Sequence, residues 1–224
     1  MFKLLTSIAF LILFTFTAFA QQKERVEYVS ILAGYNTQTA ENLHDSTGTT
    51  TFNNDPDDNG SLIGFGYAVV LDSVSKEYRF ITESEFTYNF GAKPSIITGY
   101  NVTVETTTKS LMQNFYYDKY INDKLFLRLG AGLGMSRSTV ETDFSGESVT
   151  FKGEYENNLK FAYQGLAGIG MDINEKTLIS LVYKHSNHGE IRGASGSQSD
   201  GSAYLADEFD HIYDTFLIQV SFKY

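Results

Sequence analysis

Apolar and polar side chains alternate along most of this chain, most clearly at its end. In Thr215–Tyr224, Phe216, Ile218, Val220, Phe222 and Tyr224 share one parity; Thr215, Gln219, Ser221 and Lys223 share the other, and Leu217 alone breaks the pattern. Successive strand side chains point to opposite faces, so the stretch reads as a strand with one apolar and one polar wall. Similar strands are expected at Val26–Asn36, Leu62–Leu71, Tyr78–Phe90, Thr106–Asp118, Lys124–Ser136, Asn158–Asp172 and Lys176–His185. The third is the most regular, with Tyr78, Phe80, Phe86, Tyr88 and Phe90 set against Arg79, Glu83, Glu85, Thr87 and Asn89. Two further residues sit on the wrong face of their strands: Leu32 among polar neighbours and Gln113 among apolar ones.

The connections alternate in length. Thr37–Gly60, Gly91–Thr103, Arg137–Asn157 and Ser186–Asp210 are long; Asp72–Glu77, Lys119–Asp123 and Ile173–Glu175 are short. An even number of strands, most of ten residues or more, with tight turns at one end and long loops at the other, is the pattern of a transmembrane barrel. A sandwich with Greek-key crossings would not alternate so regularly. The fold expected is all-β: an eight-stranded antiparallel up-and-down barrel with short periplasmic turns, long extracellular loops and both termini periplasmic.

The two walls fix which side faces lipid. Eight strands enclose a space only wide enough for side chains to fill, and rows of Phe and Tyr would overfill it. A basic residue at mid-membrane costs about 2–4 kcal/mol on the lipid face. The glycine-rich, ionic wall therefore belongs inside, and a lumenal ionic network of Arg79, Glu83, Glu85, Arg128, Lys160 and Lys184 is expected, the bases neutralising Glu83 and Glu85. Such a plugged lumen excludes a general porin, which needs many more strands. A lipocalin-type secreted binder, with the apolar wall inside, is the soluble alternative.

The N-terminus sets the compartment. Lys3 is the only charge before the apolar run Leu4–Phe19, and Ala18-Phe19-Ala20 leads into polar Gln21-Gln22-Lys23-Glu24. This is the pattern of a secretory signal peptide over 1–20, cleaved after Ala20, leaving one barrel domain over 21–224. The chain has no cysteine, so no disulfide supports it. The formal charge is −10, becoming −11 when Lys3 leaves, and the four long connections carry all of it. An acidic chain is unsuited to nucleic acid. Loops on a rigid scaffold are where binding resides.

Catalytic chemistry finds little support. His185-Ser186-Asn187-His188-Gly189-Glu190 holds a His, Ser and acid. In the outer-membrane lipid A deacylase the histidine and serine are separated by one residue and share a face. Here His185 and Ser186 are adjacent and would point to opposite faces. His185, His188 and His211 with Asp207, Asp210 and Asp214 form no compact metal-binding spacing. No phosphate-binding glycine loop is present either, because the glycines of Leu129–Gly134 alternate within a strand. No catalytic, cofactor or metal residue is assigned.

Several segments resemble the opacity and surface-antigen group of eight-stranded outer membrane barrels, which share the outer membrane protein A architecture. They are Asn114–Asp118, Leu129–Gly134, Phe161–Gly170 and Leu181–Lys184, in that order. The aromatic ending, with Ile218, Val220, Phe222 and Tyr224, resembles the signal read by the barrel-assembly machinery. The resemblance implies a Gram-negative outer membrane location, contact with lipid and lipopolysaccharide, and a structural or surface-interacting, adhesin-like role towards a host or matrix ligand. No cofactor is implied. A lipid A-modifying deacylase or acyltransferase is the enzymatic alternative.

Overall fold

A computed structural model describes residues 26–45, 57–75, 77–92, 101–145, 150–192, 196–197, 203–204 and 207–224. The expected signal segment lies outside them. The strands are β1 (Glu27–Asp45), β2 (Asp57–Ser75), β3 (Tyr78–Ala92), β4 (Asn101–Tyr120), β5 (Leu125–Ser145), β6 (Thr150–Glu156), β7 (Lys160–Asn174), β8 (Thr177–Arg192), β9 (Gly196–Ser197), β10 (Ala203–Tyr204) and β11 (Asp207–Lys223). Eight of them, β1 to β5 with β7, β8 and β11, pair antiparallel with their chain neighbours, and β11 pairs back onto β1 to close the wall. The tight ends are built by side-chain turns. Asn122 Oδ1 accepts the N–H groups of Lys124 and Leu125, and Asn174 Oδ1 accepts that of Lys176.

A row of paired residues can be traced around the wall from Gln38 through Tyr213, Ser186, Gln164, Gly132, Asn114, Glu83 and Ala68. It returns to β1 at Tyr28, ten residues from its start. That offset tilts the strands and sets the interior width. The row stays on the inward face throughout. It is a ramp that winds from the extracellular mouth to the periplasmic one and brings together residues far apart in sequence.

The outer wall is apolar. Phe80 is 42% exposed, Leu127 48% and Ile218 54%, whereas Glu83 is 0% and Arg128 3% exposed. Near the turns, Tyr78, Phe80 and Tyr117 pack ring against ring on the outside. Lipid is the solvent that tolerates such a surface, and a closed ladder leaves no strand edge unpaired within it.

The misplaced residues find their reasons here. Leu32 and Leu217 point inward and join Leu62, Leu166 and Val182 in an apolar cluster on one side of the lumen. Gln113 does lie on the outer wall, where its amide donates to Thr82 Oγ1 at 2.6 Å and accepts from Ser84 Oγ at 2.8 Å. Its polarity is satisfied within the sheet and not by lipid.

The strands are longer than the alternation predicts. β1 and β2 run into the expected loop Thr37–Gly60, and β8 and β11 into Ser186–Asp210. Most of Arg137–Asn157, expected as loop, is the upper end of β5 folded back on β6, with Thr139–Ser145 paired to Thr150–Glu156. The hydrophobic pattern ends where hydrocarbon ends, because an outer face in water has no reason to be apolar. The backbone ladder continues, since pairing still satisfies its N–H and C=O groups.

Candidate functional site

The inward row converges on a hydrogen-bonded core. At the periplasmic mouth Tyr120 donates to Asp172 at 2.6 Å, and Arg79 lies 3.5 Å from the same carboxylate. Asp118 stands directly opposite Arg79 on one side and Arg128 on the other. It accepts Arg79 Nε at 2.8 Å and Arg128 Nε and Nη2 at 2.7 and 2.9 Å. Arg128 passes on to Gln219 Oε1 at 3.0 Å, whose amide donates to Glu83 at 2.7 Å. Tyr116 also donates to Glu83, at 2.7 Å. Glu85 takes the Lys184 ammonium and the Asn114 amide, the latter at 3.1 Å, and Gln164 donates to Asn114 at 2.7 Å. The guanidiniums also lie over rings: Arg79 over Phe126 at 4.5 Å and Arg128 over Tyr116 at 4.6 Å. Gly66 and Gly132 make the room, since a Cβ there would run into Glu83 and Asn114. A cavity of about 10 Å³ beside Glu83 and Arg128 has space for about one water.

This partnership differs from the one expected. Only Lys184 meets a carboxylate of the Glu83–Glu85 pair directly; Arg79 and Arg128 go to Asp118, which the sequence reading did not single out. Strand register decides this, because the ladder sets Asp118 between the two arginines. Lys160 is not in the core. It is half-buried at the extracellular rim, lining a cleft with Tyr155, Asn157, Glu190, Arg192 and Glu208.

Above the core lies a second polar group. Asp210 pairs with Glu190 but Ile212 with Asn187, so His211 faces both His188 and Gly189 across a β-bulge. Gly189 has φ of 76°, a left-handed conformation that suits glycine, and its N–H donates to Asn187 Oδ1 at 2.7 Å. Strand alternation turns both histidines inward, His188 in phase with Ser186 and His211 with Tyr213, and they are buried with ring centres 5.8 Å apart. Tyr213 packs against both rings, at 5.3 and 4.5 Å.

The model of the outer membrane protein beta-barrel domain family matches residues 6–224. The chain belongs to that family. As a member, it resides in the outer membrane of a Gram-negative cell. No curated protein sequence matches it. Among solved structures it is similar to Neisserial surface protein A (13% identity, TM-score 0.53, covering 90% of this chain and 100% of that one). It is also similar to the outer membrane protease OmpT of Escherichia coli (7%, 0.52, 91% and 99%). Ail, the attachment invasion locus protein of Yersinia pestis, matches at 13% and TM-score 0.41, over 88% and 98%. At such identities the likeness is one of fold, and a fold shared with a protease does not decide whether this outer membrane barrel is an enzyme.

On the outside of this outer membrane barrel, His185 Nδ1 lies 2.8 Å from Asp214 Oδ1, and the Tyr183 hydroxyl donates to the same oxygen. Ser186 points the opposite way and donates to the Tyr213 carbonyl at 3.3 Å. The adjacent His185 and Ser186 are thus separated by the sheet. Of the C-terminal residues, Ile218, Phe222 and Tyr224 face outward and Val220 is half-buried. The last strand is tied at its end by Lys223 N–H to the Lys176 carbonyl at 2.7 Å.

The extracellular rim of the barrel is acidic. Glu105 on β4 stands opposite Glu141 on β5, which stands opposite Glu154 on β6. Glu156 is next on that face and pairs with Arg137 at 3.0 Å. Three carboxylates in one cross-strand row are a burden on the sheet, since like charges directly opposite are destabilising.

Proposed function

We propose that this protein is a non-catalytic surface barrel whose core is a structural plug and whose acidic rim contacts a basic partner, in the manner of an adhesin or surface antigen. The observation carrying this reading is the Glu105–Glu141–Glu154 row, three carboxylates set side by side across strands beyond the roughly 25 Å apolar band of such barrels. The filled lumen supports it by leaving no route for transport. Contact with lipopolysaccharide along the outer wall, and handling of Ile218, Val220, Phe222 and Tyr224 by the assembly machinery, belong to the same proposal.

The test is adherence of cells displaying the protein to host-cell or matrix layers. Complementary charge acts mainly on encounter and specificity, so the triple variant Glu105→Gln, Glu141→Gln, Glu154→Gln is expected to lower adherence roughly tenfold at low salt. Its heat-modifiable migration should be unchanged. Adherence that survives both this variant and removal of the long connections would refute the reading. For the enzymatic alternative, lipid A from cells carrying His185→Ala or Ser186→Ala should match wild type by mass spectrometry.

A further inference from the structure

We propose that the upper lumen holds a divalent transition-metal site, with His188 Nδ1 and His211 Nε2 as its nitrogen ligands. Both atoms are buried and have no hydrogen-bond partner, while the other nitrogen of each ring is engaged. His188 Nε2 lies 3.3 Å from Ser186 Oγ, and Ser186 gives its own proton to the Tyr213 carbonyl. Ser186 must therefore accept, which places the proton on His188 Nε2 and leaves Nδ1 bare. His211 Nδ1 lies 3.4 Å from Ser138 Oγ, which also meets Thr108 Oγ1 at 2.8 Å, and we assign His211 as the donor to Ser138, which leaves Nε2 bare. An oxygen acceptor behind each imidazole is the arrangement that orients metal-binding histidines.

The spacing fits one shared ion. With each nitrogen about 2 Å from a metal, two imidazoles bring their ring centres roughly 5–6 Å apart, and here they are 5.8 Å apart. The ladder creates the juxtaposition, since the pair that follows Ile212 with Asn187 is His211 with His188, and the β-bulge at Gly189 interrupts the register just beyond. Among the described residues no third histidine, cysteine or carboxylate joins the pair, so oxygen donors must complete the shell. Gln38, paired with Tyr213 in the ladder, has both amide atoms buried without partners, and so does the Thr106 hydroxyl. Two imidazoles with neutral oxygens suit Zn²⁺, Ni²⁺ or Cu²⁺ and not the harder Mg²⁺ or Ca²⁺. This site is independent of the acidic rim.

The test uses the full-length mature protein without a histidine tag, folded in detergent micelles and titrated with Zn²⁺ by calorimetry and with Co²⁺ by visible absorption. One equivalent should bind. In folded H188A or H211A the affinity should fall by more than about a hundredfold, and in S186A by about tenfold to a hundredfold, the range for a partner behind a ligand. His185→Ala, which alters only the outer wall, should bind as wild type. Histidine ¹⁵N spectra of the wild-type protein keep the test open if a variant fails to fold: Zn²⁺ must shift His188 Nδ1 and His211 Nε2. No uptake, uptake without those shifts, or uptake abolished by His185→Ala would overturn the site.

Discussion

Asp118→Asn is expected to destabilise the folded barrel by about 3–5 kcal/mol, the loss typical when one partner of a buried ion pair is removed. Asp118 is completely buried, and two guanidiniums, themselves less than a tenth exposed, share its carboxylate. The amide would keep one acceptor and lose the charge, leaving two buried cations whose remaining anions are Asp172, at 3.5 Å from Arg79, and Glu83, which Arg128 reaches only through Gln219. Reversible urea unfolding in lipid vesicles, followed by circular dichroism and by heat-modifiable migration, measures the loss. A shift below about 1 kcal/mol, the range of a surface pair, would mean that water reaches this core. Replacing Glu85 and Lys184 together by Leu and Met should do far less harm than replacing either alone, because an apolar pair leaves neither partner's charge behind without the other.

Leu129→Arg is the second large expectation. Leu129 is 60% exposed near the middle of the outer wall, and an arginine there should cost about 2–4 kcal/mol in a bilayer. Leu159→Arg, also on an exposed leucine but beyond the start of β7 at the extracellular end, should cost about 0–1 kcal/mol. The contrast between the two positions, measured by unfolding in vesicles, reports the depth of each. Equal small effects at both would place the Leu129 face in water.

Both expectations rest on features that were legible to different degrees. Which wall faces lipid follows from counting bulky and ionic side chains, because a bilayer imposes an apolar sign on most outward positions of the spanning strands, Gln113 being an exception satisfied within the sheet. The ends of the strands do not follow, since water imposes no sign: Thr103–Thr108 and Thr139–Thr142 continue the ladder with no apolar period to betray it. Asp118 was hidden for another reason. It closes its strand as an apparent turn acid, and only the register that sets it between Arg79 and Arg128 shows its role. Alternation puts His188 and His211 inward with Ser186 and Tyr213, but their pairing depends on the register of β8 against β11, which alternation within one strand does not give.

The winding of the inward row has a consequence for assembly. Arg79, Asp118 and Arg128 sit on three consecutive strands and neutralise one another as soon as those strands meet. Glu83 and Glu85 must wait for Gln219 and Lys184, which lie 136 and 99 residues further along the chain. A half-built sheet would hold two carboxylates bonded only to neutral Tyr116 and Asn114 and would keep two open edges, a state hydrocarbon does not tolerate. Crossing into the bilayer and sealing the cylinder are therefore coupled events, and β11, which joins β8 to β1, completes both.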